Sequence, residues 1–200
     1  MKIHLLSPFM RHELLPTLIS YLKDMDVIFH PIMTVEEGKS FAKDVPEWVQ
    51  PLIDDIQAYA VAYEKINRFI DTQDIIDDDY YGFMGDDDMY EPGFFDQIKQ
   101  ETSDIIFYSL YRGDSIPECD PEKHPVFPII LRSISDIRVC NTGFCQYIMK
   151  GRILKQVRMR IDHKWGDGFF AETLREKFPD KIKIISDLFA FGNYFQLGLS

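Results

Sequence analysis

The stretch YYGFMGDDD, residues 80–88, carries the strongest chemical signal in the sequence. It starts with a short aromatic and apolar run, and runs of this kind form buried central strands. Three aspartates, Asp86, Asp87 and Asp88, follow this run. Because ligands bind beyond the carboxyl ends of the strands in open α/β sheets, the sequence predicts a strand over residues 80–84 that delivers these carboxylates to a crevice.

The N-terminal part of the chain predicts a strand–helix–strand unit. Residues 2–6 form one short apolar run and residues 27–32 form another. Between them, residues 13–24 repeat leucine and isoleucine at helical spacing. Two strands joined in this way pair in parallel, which indicates an α/β fold. The rest of the pattern predicts helices over residues 51–69 and 92–100 and a loop entering a helix over residues 166–178. It also predicts strands over residues 105–111 and 181–185, and a long proline-rich loop over residues 112–128.

The size and composition of the chain favour one folded domain. The chain has 200 residues, of which 46% are hydrophobic and 14% aromatic, so it can bury a core and is no disordered tail. We predict a single domain over residues 1–200. The net charge of -11 makes general binding to nucleic-acid phosphates a poor fit, and no nucleic-acid partner is predicted.

Two terminal features bear on cellular location. Ser7, Pro8 and Arg11 interrupt the first apolar run, which is not the pattern of a signal peptide. The sequence has no stretch of about 20 apolar residues, the length that a membrane-spanning helix needs, so a cytoplasmic protein is predicted. The uncharged residues 188–200 are rich in Phe and Leu, which favours burial. The alternative is peripheral contact with the inner face of the membrane.

The three adjacent aspartates need a compensating charge. Carboxylates that repel one another cost more free energy as they lose solvent. A divalent cation would offset this cost. Oxygen ligands suit Mg²⁺ or Mn²⁺, which are often held by one or two carboxylates plus substrate phosphates. The alternative interpretation is a solvated acidic turn.

Two further charged runs are interpreted as solvent-exposed. The acidic residues 77–79 precede the predicted strand and are expected at its opposite end, mostly exposed. Residues 150–164 are rich in Lys and Arg. A solvated face is favoured for this basic run, and contact with phosphate, an anionic acceptor or a membrane surface is the alternative.

Five segments together resemble the GT-A glycosyltransferases, in particular the small family 2-like enzymes of bacteria and phages. DYYGFMGDDDMYEPGFF resembles the family's core, where a strand ends in an Asp-X-Asp motif. IHLLSPFMRHELLPTLISYL resembles the first strand with its nucleotide-contacting loop. YEKINRFID, CNTGFCQYIMKGRIL and WGDGFFAETL resemble later segments, so the likeness covers roughly residues 2–178. The resemblance implies a GT-A fold: a Rossmann-like, mostly parallel central sheet flanked by helices.

The resemblance also implies roles for single residues. Asp86 would contact the ribose or the sugar and, together with Asp88, the metal, and Asp87 would share either task. The nucleotide would lie near Pro8, Phe9, Arg11, Lys65 and Asn67. For Lys65 and Asn67, an ordinary exposed helix face is an equal alternative.

Sugar transfer with inversion needs a base that takes the proton from the acceptor hydroxyl. The segment WGDGFFAETL offers Asp167 and Glu172. The resemblance favours Asp167, which lies between two glycines at the start of a predicted helix, and Glu172 is the fallback. The alternative for Asp167 is a helix N-cap, whose side chain accepts from unpaired backbone N–H groups.

The sequence therefore predicts a glycosyltransferase that uses Mn²⁺ or Mg²⁺, a UDP- or GDP-sugar donor, and a sugar or lipid-linked sugar acceptor. One competing interpretation is a metal-dependent nucleotidyl- or phosphoryl-transfer enzyme that uses the same acids. The chain has neither a G-x-x-x-x-G-K-S/T loop nor a G-x-G-x-x-G motif, which counts against this interpretation. The other is a non-catalytic module that binds nucleotide-sugars.

Overall fold

The α/β fold class is confirmed by the architecture of the chain. A computed structural model describes residues 1–9, 11–39, 41, 44–55, 61–91, 93–112, 127–139 and 141–192. Within these residues, nine strands form one sheet, and helices pack on both of its faces. This Rossmann-like arrangement agrees with the GT-A fold that the resemblance implies.

The first half of the sheet is parallel. Strand β1 (Ile3–Pro8) is followed by helix α1 (Leu15–Leu22) and strand β2 (Ile28–Thr34). Strand β1 pairs in parallel with β2, as predicted. On its other side β1 pairs in parallel with β4 (Tyr80–Phe83), and β3 (Leu52–Asp54) extends the sheet beyond β2.

The second half of the sheet mixes directions. Strand β8 (Tyr147–Lys150) is antiparallel both to β4 and to β6 (Ile105–Arg112). Strand β9 (Ile182–Gly192) is parallel to β6 and pairs with the short antiparallel β5 (Met89–Tyr90). Strand β7 (Phe127–Ile129) pairs with β6 at the side, so the order is β3-β2-β1-β4-β8-β6-β9-β5. The chain between β4 and β5 must therefore cross from the first half of the sheet to the second, and this crossing carries the three aspartates.

The remaining helices are α2 (Val35–Gly38), α3 (Val61–Thr72), α4 (Phe94–Lys99), α5 (Gly151–Leu154) and α6 (Gly166–Lys177). Short 3₁₀ turns cover His12–Leu14, Ile134–Asp136 and Pro179–Lys181. Helices α4 and α6 confirm the helices predicted over residues 92–100 and 166–178.

The start of the helix predicted over residues 51–69 is wrong. Leu52 pairs in parallel with Ile32 as part of β3, so the sheet edge overrides the helix signal of Pro51. Helix α3 begins only at Val61, and residues 56–60 lie outside the described residues. Most of the loop predicted over residues 112–128 also lies outside them.

The alternation of side chains along the strands builds two cores, one on each face of the sheet. Leu5 and Tyr80 point to the core beneath α1 and α4. Leu6, Tyr81 and Phe83 point to the core beneath α3 and α6. Both cores fix the end of β4, which positions the residues that follow it.

In the part of the chain that the structure describes, no helix has the length and hydropathy needed to cross a bilayer. The first residues of the apolar stretch 188–200 belong to β9, where Ala190 is fully buried. This agrees with the predicted burial, and residues 193–200 lie outside the described residues.

Candidate active site

The three aspartates that follow β4 are buried, with Asp86 2%, Asp87 4% and Asp88 6% exposed. The turn that carries them is closed twice. The backbone N–H of Asp88 donates to the carbonyl oxygen of Gly85 at 3.3 Å, and the N–H of Gly85 donates to Oδ2 of Asp88 at 2.6 Å. The alternative of a solvated acidic turn is therefore wrong.

Arg11, which follows β1, lies directly against two of these acids. Its backbone N–H donates to Oδ2 of Asp86 at 2.7 Å and its Nε donates to Oδ1 at 2.9 Å. Its Nη2 lies 3.0 Å from Oδ1 of Asp87. Burial opposes the charge of Arg11, but the bonds to Asp86 and Asp87 outweigh it and raise the pKa of the guanidinium.

Two adjoining cavities of about 220 Å³ each meet at the acids. Both are lined by Gly85, Asp87, Phe144 and Asp167. The first cavity extends along the end of β1 and the start of α3, where it is lined by Pro8, Arg11, Ala62, Tyr63 and Asp86. The second cavity extends toward the other half of the sheet, where its lining includes Asp88, Leu110, Ile129, Cys145, Gln146 and Gly192.

Asp167 reaches both cavities from the first turn of α6. Its Oδ1 accepts from the backbone N–H of Gly168 at 2.8 Å and from the hydroxyl of Tyr63 at 3.2 Å. Trp165 is the N-cap residue of α6 and makes no side-chain cap bond. The N-cap alternative for Asp167 is therefore wrong, because the helix begins two residues earlier than the cap would require.

Gly166 explains how Asp167 comes so close to Tyr63. A Cβ at this position would lie 2.5 Å from a ring carbon of Tyr63 and would also collide with the carbonyl oxygen of Arg160. Real Cβ atoms do not approach this closely, so only glycine lets the start of α6 pack here.

Glu172, the second candidate base, lies further along α6. Its Oε1 accepts from the backbone N–H of Val139 at 3.1 Å. Among the described residues, the lining of the two cavities includes Asp167 but not Glu172. This bond anchors the segment before β8 to α6, and a catalytic role for Glu172 remains a prediction.

Lys65 and Phe9 support the end of β1 from within the protein. Lys65 is fully buried, and its Nζ donates to the carbonyl oxygen of Phe9 at 2.9 Å and pairs with Glu37 at 2.7 Å. Burial lowers the pKa of Lys65, and the charges of Glu37 and Asp86 oppose this shift. The Phe9 ring is also buried and packs edge-on against Phe29. These contacts fix Phe9 at the end of β1, and direct contact of Lys65 or Phe9 with a nucleotide remains a prediction.

Asn67 is tied to the backbone of Met159. Its Nδ2 donates to the Met159 carbonyl oxygen at 2.9 Å, and its Oδ1 accepts from the Met159 N–H at 2.8 Å. The pair joins α3 to the segment that leads into α6, on which Asp167 lies. A nucleotide contact for Asn67 also remains a prediction.

Tyr63 and Cys145 are site residues that the sequence interpretation missed. Tyr63 is one turn from Asn67 on α3, so the helical period could have revealed its place on the same face. Burial and the charge of Asp167 raise the pKa of Tyr63. Cys145 is 4% exposed, and burial together with the charge of Asp88 raises the pKa of its thiol. No local sequence signal places Cys145 beside the acids.

The second acidic run lies at the opposite end of β4, as predicted. Asp77 and Asp78 are exposed and pair with Lys155 and Arg152. The prediction of exposure is wrong for Asp79, which is 6% exposed. Its carboxylate accepts from the backbone N–H of Lys2 at 2.6 Å.

The basic run over residues 150–164 is largely paired within the chain. Arg158 pairs with Asp71 and Arg160 with Asp162, in addition to the pairs just described. These pairs are exposed on both sides, which agrees with the predicted solvated face.

The acids fit the predicted divalent cation by their chemistry. No group of three His, Cys, Asp or Glu side chains in the described part of the chain is arranged to hold a metal ion by itself. Mg²⁺ and Mn²⁺ sites commonly use one or two carboxylates and take the remaining ligands from water and substrate phosphates. Oδ1 of Asp87 and Oδ2 of Asp88 both lie within 2.9 Å of where a Cβ would stand on Gly85. These two neighbouring carboxylates meet that requirement.

Comparisons with known proteins show similarity of fold. No protein-family description matches the chain, and no curated protein matches it. Among solved structures, TarS 1-349 of S. aureus has a TM-score of 0.57 at 12% identity. The match covers 96% of this chain but only 60% of the TarS structure. HddC of Yersinia pseudotuberculosis has a TM-score of 0.50 at 13% identity, covering 96% of this chain and 91% of HddC. The inositol-1-phosphate CTP transferase of T. maritima has a TM-score of 0.51 at 11% identity, and the match covers 96% of this chain and 89% of the transferase.

Proposed function

We propose that the protein is a metal-dependent glycosyltransferase, which moves a sugar from a nucleoside-diphosphate sugar to an acceptor hydroxyl. One observation carries this proposal: Asp87, Asp88 and Asp167 line the same cavity. The chemistry needs two separate groups of acids, one for the metal and diphosphate and one for the proton of the acceptor. The cavity brings both groups to one space.

The donor is assigned to the first cavity and to the acids at the edge that it shares with the second cavity. Asp88 and Asp87 would hold the divalent cation, which would neutralise charge on the departing diphosphate. Asp86 is engaged at both oxygens by Arg11, so we assign it to fixing Arg11 beside the nucleotide. Pro8 and Tyr63 line the same cavity and would pack against the nucleotide.

Asp167 is assigned as the base. Its carboxylate is oriented by the bonds from Gly168 and Tyr63 and faces both cavities. An acceptor hydroxyl in the second cavity would approach the sugar from the side of Asp167. This arrangement supports transfer with inversion, because a base on the side away from the leaving group assists direct displacement.

Nucleotidyl transfer is the second candidate, and the fold similarity to the inositol-1-phosphate CTP transferase favours it. Two features favour the sugar transferase instead. Residues 9–14, which follow β1 in the sequence, contain no glycine, whereas triphosphate-binding loops use glycines to bring the backbone close to phosphate. Nucleotidyl transfer to a phosphate also has no need of a base such as Asp167, because the attacking phosphate is already ionised.

The test is to incubate the protein with Mn²⁺ and a panel of UDP- and GDP-sugars and to measure free nucleoside diphosphate. A parallel panel of nucleoside triphosphates with sugar phosphates is assayed for pyrophosphate. Release of nucleoside diphosphate supports the proposal, and pyrophosphate alone replaces it with the second candidate. Binding without either product identifies a non-catalytic module.

The variant Asp88→Asn sharpens the test, since it keeps the shape of the side chain and an acceptor for the Gly85 N–H. We expect it to lose metal-dependent nucleotide binding by calorimetry while it remains folded. The matched control is Asp78→Asn, the same change in the exposed acidic run at the other end of β4, which should bind as the wild type does. Equal affinity of Asp88→Asn and the wild type would remove Asp88 from the metal site.

A further inference from the structure

Arg11 is bonded unequally to the acids at the end of β4. Asp86 takes the backbone N–H and the Nε of Arg11, at 2.7 and 2.9 Å, and its Oδ1 also lies 2.5 Å from Nη2. Asp87 takes a single contact from Nη2, at 3.0 Å. Arg11 thus holds Asp86 at both carboxylate oxygens, Oδ2 through its backbone N–H and Oδ1 through its guanidinium, whereas its hold on Asp87 is one ion pair.

Asp86 and Asp87, which receive different numbers of contacts from Arg11, also differ in their position relative to the two cavities. Asp86 lines only the first cavity, whereas Asp87 lines both and is a neighbour of Asp88 at Gly85. The side chain of Arg11 is 31% exposed, while the acids that it contacts are almost fully buried. The guanidinium therefore has room to move on the side of the first cavity, and the acids do not.

We propose that the Arg11 guanidinium serves as the counter-cation of Asp87 in the metal-free protein, and that a divalent cation must displace it from Asp87 in order to bind. This inference rests on the proposed function, because it concerns the same acids. Three adjacent buried carboxylates repel one another, and a guanidinium beside them offsets part of that repulsion. A divalent cation that binds Asp87 and Asp88 would meet both the competition of Arg11 for Asp87 and the repulsion of its charge. Arg11 therefore stabilises the empty site and weakens its affinity for metal.

The experiment measures Mn²⁺ binding in the absence of any nucleotide, by the loss of the free Mn²⁺ signal in electron paramagnetic resonance. Arg11→Gln removes the charge, so the competition and the repulsion end together. We expect its Mn²⁺ affinity to rise by about tenfold or more, since one unit charge at this range is worth at least that factor. Thermal melts in EDTA should show the opposite trend, with a lower midpoint for Arg11→Gln that Mn²⁺ restores.

Arg68→Gln is the matched control. The Arg68 guanidinium also makes two contacts to one carboxylate, with Nε 2.6 Å from Oδ2 and Nη2 3.2 Å from Oδ1 of Asp54. That pair is more exposed, at 44% and 25%, and lies between α3 and β3. We expect Arg68→Gln to leave Mn²⁺ affinity unchanged, because exposed ion pairs contribute little.

Unchanged or weaker Mn²⁺ binding by Arg11→Gln overturns the proposal. If that variant does not fold, Arg11→Lys keeps the charge but lacks the planar guanidinium whose geometry places it on Asp86 and Asp87 together. Tighter Mn²⁺ binding by Arg11→Lys than by the wild type then supports the proposal, and equal or weaker binding overturns it. Neither measurement uses nucleotide-sugars or turnover, so a failure here is distinguishable from a failure of the proposed glycosyl transfer.

Discussion

At the scale of single residues, Asp167 separates proton transfer from donor binding. Asp167→Asn keeps an oxygen that can accept from Gly168 and Tyr63, and no cap is lost because Trp165 is the N-cap of α6. The variant should fold and bind donor normally. General base catalysis is worth about 10²–10⁴-fold, so we expect sugar transfer, or donor hydrolysis, to fall by roughly that factor at saturating donor.

Glu172→Gln provides the control for this prediction. It removes a carboxylate from the same helix, but Gln can still accept from the N–H of Val139. Turnover should therefore fall less than tenfold. If turnover falls by less than tenfold in Asp167→Asn, or by more than tenfold in Glu172→Gln, Glu172 and not Asp167 would be assigned as the base.

The residues of the site differ in how far the sequence could predict them. The three aspartates belong to a short segment whose pattern is itself informative, whereas Asp167 is predicted only from the family resemblance of the segment WGDGFFAETL. The bond between Arg11 and Asp86 joins residues 75 positions apart, and the bond between Tyr63 and Asp167 joins residues 104 apart. Such pairs depend on the packing of the whole fold, and no local pattern indicates them.

At the scale of elements, Gly166 controls the placement of α6. In Gly166→Ala the new methyl group would collide with the Arg160 carbonyl oxygen and the Tyr63 ring, and the start of the helix would have to shift. We expect a loss of about 1–3 kcal/mol in the free energy of unfolding, measured by urea titration. Transfer activity should fall as well, because Asp167 is the next residue.

The matched control for this change is Gly82→Ala, in the middle of β4. A Cβ there would meet Ile148 and Leu5 at 3.5 Å, which is ordinary van der Waals contact. This variant should be close to the wild type in stability. Equal stability of Gly166→Ala and Gly82→Ala would contradict the close approach of α6 to Tyr63.

Elements with a strong period of their own could be predicted, and elements defined by a partner could not. The leucine spacing of α1 and the apolar run of β4 indicate their structures directly. Strand β3 has only three residues, and a partly exposed pattern gives it no signal. It forms because residues 52–54 meet the edge of β2, which overrides the helix signal of the preceding proline.

At the scale of the whole molecule, the order of strands is the feature that the sequence could not supply. The opening strand–helix–strand unit predicts parallel neighbours, and β1 and β2 confirm it. Nothing local indicates that β8 enters between β4 and β6 in the antiparallel direction. That strand separates the two halves of the sheet, so the turn with the three aspartates spans the gap between them and lies at the edge shared by both cavities.

The stability of the whole molecule should depend on pH through a buried histidine pair at the other end of the sheet. Nδ1 of His4 on β1 lies 2.9 Å from Nε2 of His30 on β2, and Nε2 of His4 lies 3.4 Å from Asp79. Burial lowers the pKa of His4, against the opposing influence of Asp79. Burial and the neighbouring His4 lower the pKa of His30 to about 4.

The sign of the effect follows from these directions. Histidine has a pKa of about 6.5 in the unfolded chain. As the pH falls below that value, the unfolded state takes up protons that the folded state cannot accept, so stability falls with decreasing pH until the folded pKa is reached. For His30 alone, the window from 6.5 to about 4 corresponds to roughly 3 kcal/mol. Urea titrations between pH 7 and pH 5 should therefore show a steady loss of unfolding free energy.

His30→Gln should flatten this dependence, since glutamine keeps a polar partner for His4 but does not titrate in this range. His163→Gln is the control, because His163 is partly exposed and lies in the segment before α6. Within the described part of the chain, its ring accepts a hydrogen bond from the backbone N–H of Trp165. That variant should keep the slope of the wild type. If His30→Gln and His163→Gln show the same slope between pH 7 and pH 5, the buried pair does not set the acid limit of the fold. That limit is then set at lower pH, by carboxylates such as Glu37 and Asp104. Burial raises the pKa of Glu37, but Lys65 and Thr34 together lower it below its usual value. Arg152 lowers the pKa of Asp104 against the effect of burial, so the contribution of both carboxylates is lost only at lower pH.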